Sequence, residues 1–353
     1  ELQVPEVREA FIELLHDCGL RLTSLNGFPY GQFHEGAVKA EVYRPTWAEP
    51  QRLEYSLQLA HLLAAALPLD CQQGVISSVP FGYAATWDEA QQQQAETHLR
   101  QLTAELASLH RSSGRKILVC LEMEADCVLE NTDQALAFFK HWQATDPHHG
   151  YLALCFDVCH QAVVFEDCYQ SLQRLLDARV PVGKIQLSNA LICQLPFADR
   201  PRRQQVLQAL GNFAEATYLH QVKARDMAGQ LLAWADLPGA LDAAEPAQGQ
   251  CPELRIHFHV PLFSEQFLLA ELSGSQQALL RTFDFLAAHP NFQPVLEVET
   301  YSWNVLPGAL RPDSEQALLQ GIAAELQWVE GQLRQRHLLR THSSALEAPA
   351  HAF

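Results

Sequence analysis

Along the chain, short apolar runs alternate with longer stretches whose apolar residues recur at helical spacing. Such a pattern predicts strands alternating with amphipathic helices. Helices are predicted over 6–18, 51–67, 88–110, 131–142, 168–178, 275–288 and 314–338, and another near 236–243. In the stretch 88–110, Leu99, Leu102, Leu106 and Leu109 share one face, and Asn131-Thr132-Asp133 is cap chemistry for the next helix. Between them, strands are predicted over 20–26, 74–80, 116–121, 153–160, 182–189, 255–260 and 294–299.

Strict alternation with short connections predicts a parallel sheet with helices outside it. The count is seven, and one more strand ahead of residue 1 completes a (β/α)8 TIM barrel, a single α/β domain over 1–340. No glycine-rich phosphate loop follows any strand, which argues against an open doubly wound sheet. Residues 191–236 break the rhythm, with a helical pattern over 195–210 and an extra strand over 217–223. That segment is expected to be an insertion after strand 6 of the full barrel, acting as a lid over the carboxyl-end face. The tail 341–353, rich in Ala, Ser and His, is expected to be flexible.

The strand ends carry the chemistry. Glu122 and Glu124 end one strand, Asp157 and His160 the next, then come Gln186 and Ser188, then His257 and His259, and finally Glu297 and Glu299. Residues two apart in a strand share a face, so each such pair points the same way. Pointing outward would bury carboxylates beneath apolar helices, which is costly. Pointing inward clusters carboxylates and imidazoles at the barrel mouth, where barrel enzymes build their sites. Close-packed carboxylates repel unless a cation sits among them, and Glu, Asp, His and Gln together suit Mn²⁺, Zn²⁺, Co²⁺ or Mg²⁺. The competing interpretation is a salt-bridged polar layer, but at these strand ends only Lys184 and Arg255 are visible basic partners.

Charge and composition narrow the partners. With 41 acidic and 24 basic residues the formal net charge is −17, which disfavours nucleic acid. No apolar run is long enough to span a bilayer and no signal peptide is visible, so a cytoplasmic protein is expected. The nine cysteines, with no CxxC pair, fit reduced buried thiols better than a disulfide framework. The expected partner is a small molecule, anionic or polyhydroxyl, which the resemblance below narrows to a polyol or sugar-like one, with a homo-oligomer left open. His220 and Arg225 on the insertion are candidates to face that molecule, together with Asn26, Lys184, Glu124 and Glu297.

Leu121-Glu122, Phe156-Asp157-Val158-Cys159-His160 and Glu299-Thr300 resemble the strand ends of the xylose-isomerase-like barrels: sugar isomerases, ketose epimerases and endonuclease IV. More closely, 25–31, 121–130, 218–221, 257–263 and 297–301 resemble EboE, the "metabolite traffic" barrel of bacterial ebo gene clusters. The resemblance implies Glu122, Asp157 and Glu299 as carboxylate ligands of a divalent metal. Where the epimerases carry a histidine on the sixth strand, this chain has Gln186. His257 and His259, which resemble the Asp-x-His of endonuclease IV, are then the expected nitrogen ligands, with His160 beside them. Three functions follow: an isomerase or epimerase using Glu122 and Glu299 as acid and base, a metal-dependent hydrolase, or a carrier that binds a metabolite without converting it.

Overall fold

The computed structural model describes residues 4–31, 39–196, 199–244 and 252–339, so the tail expected from 341 lies outside the described residues. In chain order the strands are β1 (Ser24–Asn26), β2 (Gln73–Ser78), β3 (Lys116–Glu122), β4 (Leu152–Asp157), β5 (Val182–Leu187), β6 (Ala190–Gln194), β7 (Val222–Arg225), β8 (Leu231–Trp234), β9 (Glu253–His259), β10 (Gln266–Phe267), β11 (Leu269–Gly274) and β12 (Val295–Val298). They form two sheets of six. The first is parallel, in the order β1-β2-β3-β4-β5-β12, and is a nearly closed barrel. The second runs β10-β11-β6-β9-β7-β8, and its pairings are antiparallel.

Helices pack on the two sheets as the apolar spacing dictates, except the first, which buries no residue. They are α1 (Pro5–Asp17), α2 (Pro50–Ala66), α3 (Glu89–Ser113), α4 (Thr132–Thr145), α5 (Val158–Val163) and α6 (Cys168–Asp177). Then come α7 (Arg200–Gly211), α8 (Leu237–Ala244), α9 (Gln276–Ala288) and α10 (Glu315–Gln335). Capping boxes start two of them, Asp88 with Gln91 at α3 and Asn131 with Gln134 at α4. Gly114 ends α3 in the left-handed conformation at φ 72°. The main core packs Leu99, Leu102, Phe139, Trp142 and Phe283 against the outward side chains of the barrel strands. A second core, including Val206, Leu210, Phe213, Ile256 and Phe258, lies between the antiparallel sheet and α7 and α8.

Two sequence expectations need correction. The strand expected at 255–260 in the barrel wall is β9, paired antiparallel with β6 and β7 in the second sheet. Alternation has the same period in parallel and antiparallel strands, so the pattern carries no information about direction. The strand expected to reach His160 stops at Asp157, whose Oδ1 accepts a hydrogen bond from the His160 N–H at 2.8 Å and caps α5. His160 therefore sits in the first turn of a helix.

Side chains from β5, β12 and the residue after β12 join the barrel to β1. Ser24 Oγ donates to Glu297 Oε2 at 3.0 Å, Asn26 Nδ2 to Glu299 Oε1 at 3.3 Å, and Lys184 Nζ to Leu25 O at 3.2 Å. A register shift places Gly183 as a bulge opposite the step from Leu154 to Cys155. A Cβ there would lie 2.6 Å from Cys120 Sγ, so only glycine fits.

Candidate functional site

Register sets the inward face of the barrel. Asp157 pairs with Gln186, Gln186 with Glu297, Glu122 with Cys155, and Cys155 with Lys184. Below these lies an apolar floor of Val75, Leu118, Cys120, Ala153 and Cys155. Lys184 is fully buried above it, and its ammonium donates to both Glu297 oxygens at 3.0 and 2.9 Å and to Leu25 O. Lys184, the one buried cation of this layer among the described residues, is thus committed to Glu297, and both stand beneath the mouth rather than in its wall.

Above that pair, oxygens of Glu122, Asp157 and Glu299 come within 4.8 Å of one another. Asp157 Oδ1 accepts from the His160 N–H and from Ser188 Oγ, both at 2.8 Å, while its Oδ2 has no partner. Glu122 Oε2 and Glu299 Oε2 are likewise buried with none. Burial pushes both glutamates well above the usual carboxylate range, and the charges of their acidic neighbours add to it. Burial also raises Asp157, against the opposing pull of His259 and the hydrogen bonds to Oδ1. Unpaired buried carboxylate atoms facing one another are expensive, and a cation removes the cost.

His259 enters from the carboxyl end of β9. Its Nδ1 faces the Glu299 carbonyl at 2.9 Å, so that nitrogen carries the proton and Nε2 presents a lone pair. This Nε2 is buried without a partner, and burial holds the imidazole down to about 4, keeping it neutral at ordinary pH. An Asp157–His160–His259 group gathers ligand atoms within 4.8 Å as well. Gln186 Oε1 accepts from Cys155 Sγ at 2.9 Å, and its Nε2 is buried without a partner. Turning the amide over exchanges these two atoms, which would put an oxygen in the unpartnered position.

A second group adjoins the first. His160 Nε2 lies 3.0 Å from His257 Nε2, and Glu124 completes a potential ligand set with them. Gln221 orients His257: its Oε1 accepts from Nδ1 at 2.7 Å, while its Nε2 donates to Tyr43 Oη, Glu124 Oε1 and Ala125 O. His220 lies one layer behind, fully buried, with Nδ1 on His257 O at 2.8 Å and Nε2 on Glu215 Oε1 at 2.9 Å. Burial disfavours the Glu215 charge, but hydrogen bonds from His220 and from the Tyr218 and Thr217 N–H groups outweigh it and hold its pKa down to about 2.

These groups open into a cavity of about 280 Å³. Its wall contains Asn26, Glu122, Glu124, His160, His257, His259 and Glu299 of the expected residues. Asp157, Gln186, Lys184, Glu297 and His220 stand behind that wall. Arg225 lies apart from it, its guanidinium over the Phe165 ring at 4.8 Å. The expectation that Arg225 faces the ligand finds no support in this position. From 218–220, Tyr218 and Leu219 reach the wall, whereas His220 does not.

Sequence reasoning missed Tyr43, Lys39, Tyr218, Tyr301 and Gln221. It missed Arg52 too, which is fully buried in α2 and donates to Pro45 O, Gly27 O and Phe28 O, fixing the loop that presents Phe28. Apart from Arg52 in α2, these residues lie in connecting segments or a short 3-10 turn, where no periodicity marks which side chains turn inward.

No family model and no curated protein matches this chain. Among solved structures it is similar to a xylose isomerase-like TIM barrel protein from Mycobacterium smegmatis in complex with magnesium, at 14% identity and TM-score 0.47, covering 93% of this chain and 79% of that one. It is also similar to a D-tagatose 3-epimerase-like protein, at 9% identity and TM-score 0.47, covering 94% and 85%. A third similar structure is a 3-keto-D-glucoside 4-epimerase from E. coli, at 12% identity and TM-score 0.42, covering 92% and 84%.

Proposed function

We propose that this chain is a divalent-metal-dependent isomerase or epimerase acting on a sugar-like or cyclitol-like metabolite, an EboE-like protein of the cytoplasm. One observation carries the reading: Glu122 Oε2, Asp157 Oδ2, His259 Nε2 and Glu299 Oε2 are all buried, all without a partner, and drawn from one connected group of side chains. Three anionic oxygens and one neutral nitrogen fit Mn²⁺, Zn²⁺, Co²⁺ or Mg²⁺, with the Gln186 amide as a further neutral donor. When bound, such a cation supplies Lewis-acid polarisation of a carbonyl oxygen.

The chain's own residues do the rest. Glu122 on β3 and Glu299 after β12 approach from opposite sides of the mouth, since β4 and β5 separate their strands on one side and β1 and β2 on the other. One takes a proton from a carbon next to the carbonyl, and the other returns a proton to the opposite face. Asn26 orients Glu299 through its Nδ2, and Ser188 holds Asp157 through Oδ1. Free thiols at all eight cysteines of the described residues accord with a reducing compartment.

The test has two parts. Metal bound after dialysis should be about one ion per chain. In D₂O, wild-type protein should place deuterium on carbon in a ketose or cyclitol ketone from a panel. Glu122→Gln and Glu299→Gln should keep the metal and lose the exchange. Metal-free wild-type protein that Mn²⁺ or Zn²⁺ does not stabilise would remove the reading. Metal-dependent hydrolysis has one specific observation in its favour, the adjoining Glu124–His160–His257 group. It predicts more than one ion per chain and no deuterium on carbon.

A further inference from the structure

The wall of the cavity is divided by origin. Its acids and imidazoles come from strand ends and the first turn of α5, whereas Phe28, Pro29, Val42 and Leu219 come from connecting segments above them. Tyr43, Tyr218 and Tyr301 extend the same wall, Tyr218 and Tyr301 meeting edge-on at 5.0 Å. A hydroxyl set against Phe28, Pro29, Val42 or Leu219 would give up water and gain no hydrogen bond, which is unfavourable. A sugar with a hydroxyl on every carbon therefore matches only the strand-end half.

Charge gives a second, independent restriction. Among the described residues of the wall, the one Lys or Arg side chain is Lys39, and burial lowers the imidazoles of His160, His257 and His259. The Lys39 ammonium is already held by Glu215 O at 3.1 Å, Tyr218 O at 2.7 Å and Asp236 Oδ2 at 2.7 Å. A phosphate or carboxylate on the ligand would find no free ammonium or guanidinium there. A divalent cation among Glu122, Asp157 and Glu299 still leaves three carboxylates against two positive charges. The wall repels anions.

We propose that the ligand is an uncharged polyhydroxy ring bearing an apolar substituent, the ring facing the strand-end acids and imidazoles and the substituent facing Phe28, Val42 and Leu219. This rests on the reading that the cavity takes a sugar-like metabolite, and it narrows that class to a neutral conjugate, excluding phosphorylated and carboxylated sugars.

Three probes test it on the full chain, with and without Mn²⁺: methyl β-D-glucopyranoside, phenyl β-D-glucopyranoside and glucose 6-phosphate, their affinities ranked by ligand-observed NMR and calorimetry. The phenyl glucoside should bind about tenfold tighter than the methyl glucoside, and glucose 6-phosphate more weakly than either. Leu219→Asn should cut the preference for the phenyl over the methyl glucoside severalfold. Glucose 6-phosphate binding tightest, a phenyl probe no better than the methyl one, or no binding of any probe overturns the proposal. These affinities need no turnover. Protein that ranks the probes as expected yet takes up no metal and exchanges no deuterium loses the isomerase reading alone. Protein that binds metal and exchanges deuterium but does not discriminate among the probes loses this proposal alone.

Discussion

His160 and His257 face each other through their Nε2 atoms at 3.0 Å, with the rings edge-on at an interplanar angle of 77°. Both Nδ1 atoms are spoken for. His160 Nδ1 donates to Met123 O at 2.8 Å, and His257 Nδ1 donates to Gln221 Oε1 at 2.7 Å. Gln221 cannot turn its amide over, because its Nε2 faces the acceptors Ala125 O and Glu124 Oε1. Two bare lone pairs do not rest at that separation, and burial lowers both imidazoles, so the gap calls for a cation, or at acid pH a proton. Long-range ¹⁵N–¹H correlation spectra of metal-free protein should show protonated Nδ1 on both rings, with a proton shared by the two Nε2 atoms only at acid pH, because burial lowers both imidazoles. A bare Nδ1 on either ring would contradict this assignment. Gln221→Leu removes the acceptor and should let His257 adopt the other tautomer.

The inward-facing acids at and beneath the mouth were legible in the sequence because alternation along a strand is a local property. Glu122, Asp157, Glu297 and Glu299 all project inward as their spacing requires. What the pattern could not carry is direction and distance. His257 and His259 do reach the mouth, but on an antiparallel strand of the second sheet, and nothing in their spacing distinguishes that from a barrel strand. Asp157 reads as a strand-end acid, and its additional role as the cap of α5 depends on where the strand stops. Tyr43 and Gln221 lie 178 positions apart yet share a hydrogen bond, a relationship only the folded chain creates.

Ser188 should matter to metal affinity without touching the ion. Its hydroxyl donates to Asp157 Oδ1 at 2.8 Å and accepts from the Cys159 N–H at 2.8 Å, which turns Oδ2 toward the cluster. Removing such an orienting hydrogen bond costs about 10–100-fold in affinity. Ser188→Ala is expected to lose Mn²⁺ or Zn²⁺ affinity in that range in a chelator competition, with the melting temperature of metal-free protein changed little. Equal affinities in variant and wild type would remove this role.

Metal uptake should depend on pH with a definite sign. Burial, then neighbouring charge, raises Glu122 and Glu299 well above their ordinary values, whereas burial lowers His259 to about 4. Metal binds carboxylates in their ionised form, so the raised pair must give up protons first, and affinity rises as pH rises toward their folded pKa. His259 is already neutral above pH 5 and releases none. Calorimetry of Mn²⁺ binding in two buffers of different ionisation enthalpy should show proton release at pH 6 that shrinks as pH increases. Affinity that is flat from pH 6 to 8 would mean the carboxylates are ionised in the metal-free protein.

The floor of the site depends on one missing side chain. Gly183 is the bulge residue that lets Lys184 and Gln186 both keep the inward face, in register with Cys155 and Asp157. A methyl group at 183 would lie 2.6 Å from Cys120 Sγ and 3.4 Å from Val75 Cγ1, inside a packed layer. Overpacking of this kind costs about 1–3 kcal/mol, and Gly183→Ala should lower stability to denaturant by that amount. Part of the loss should return in Gly183→Ala/Cys120→Gly, because the sulfur is the nearest obstacle and its removal opens the space the methyl needs. The two changes touch the same atoms, so they should be clearly non-additive. If the double variant is as unstable as the sum of the single ones, the penalty at 183 comes from the bulge backbone rather than from Cys120.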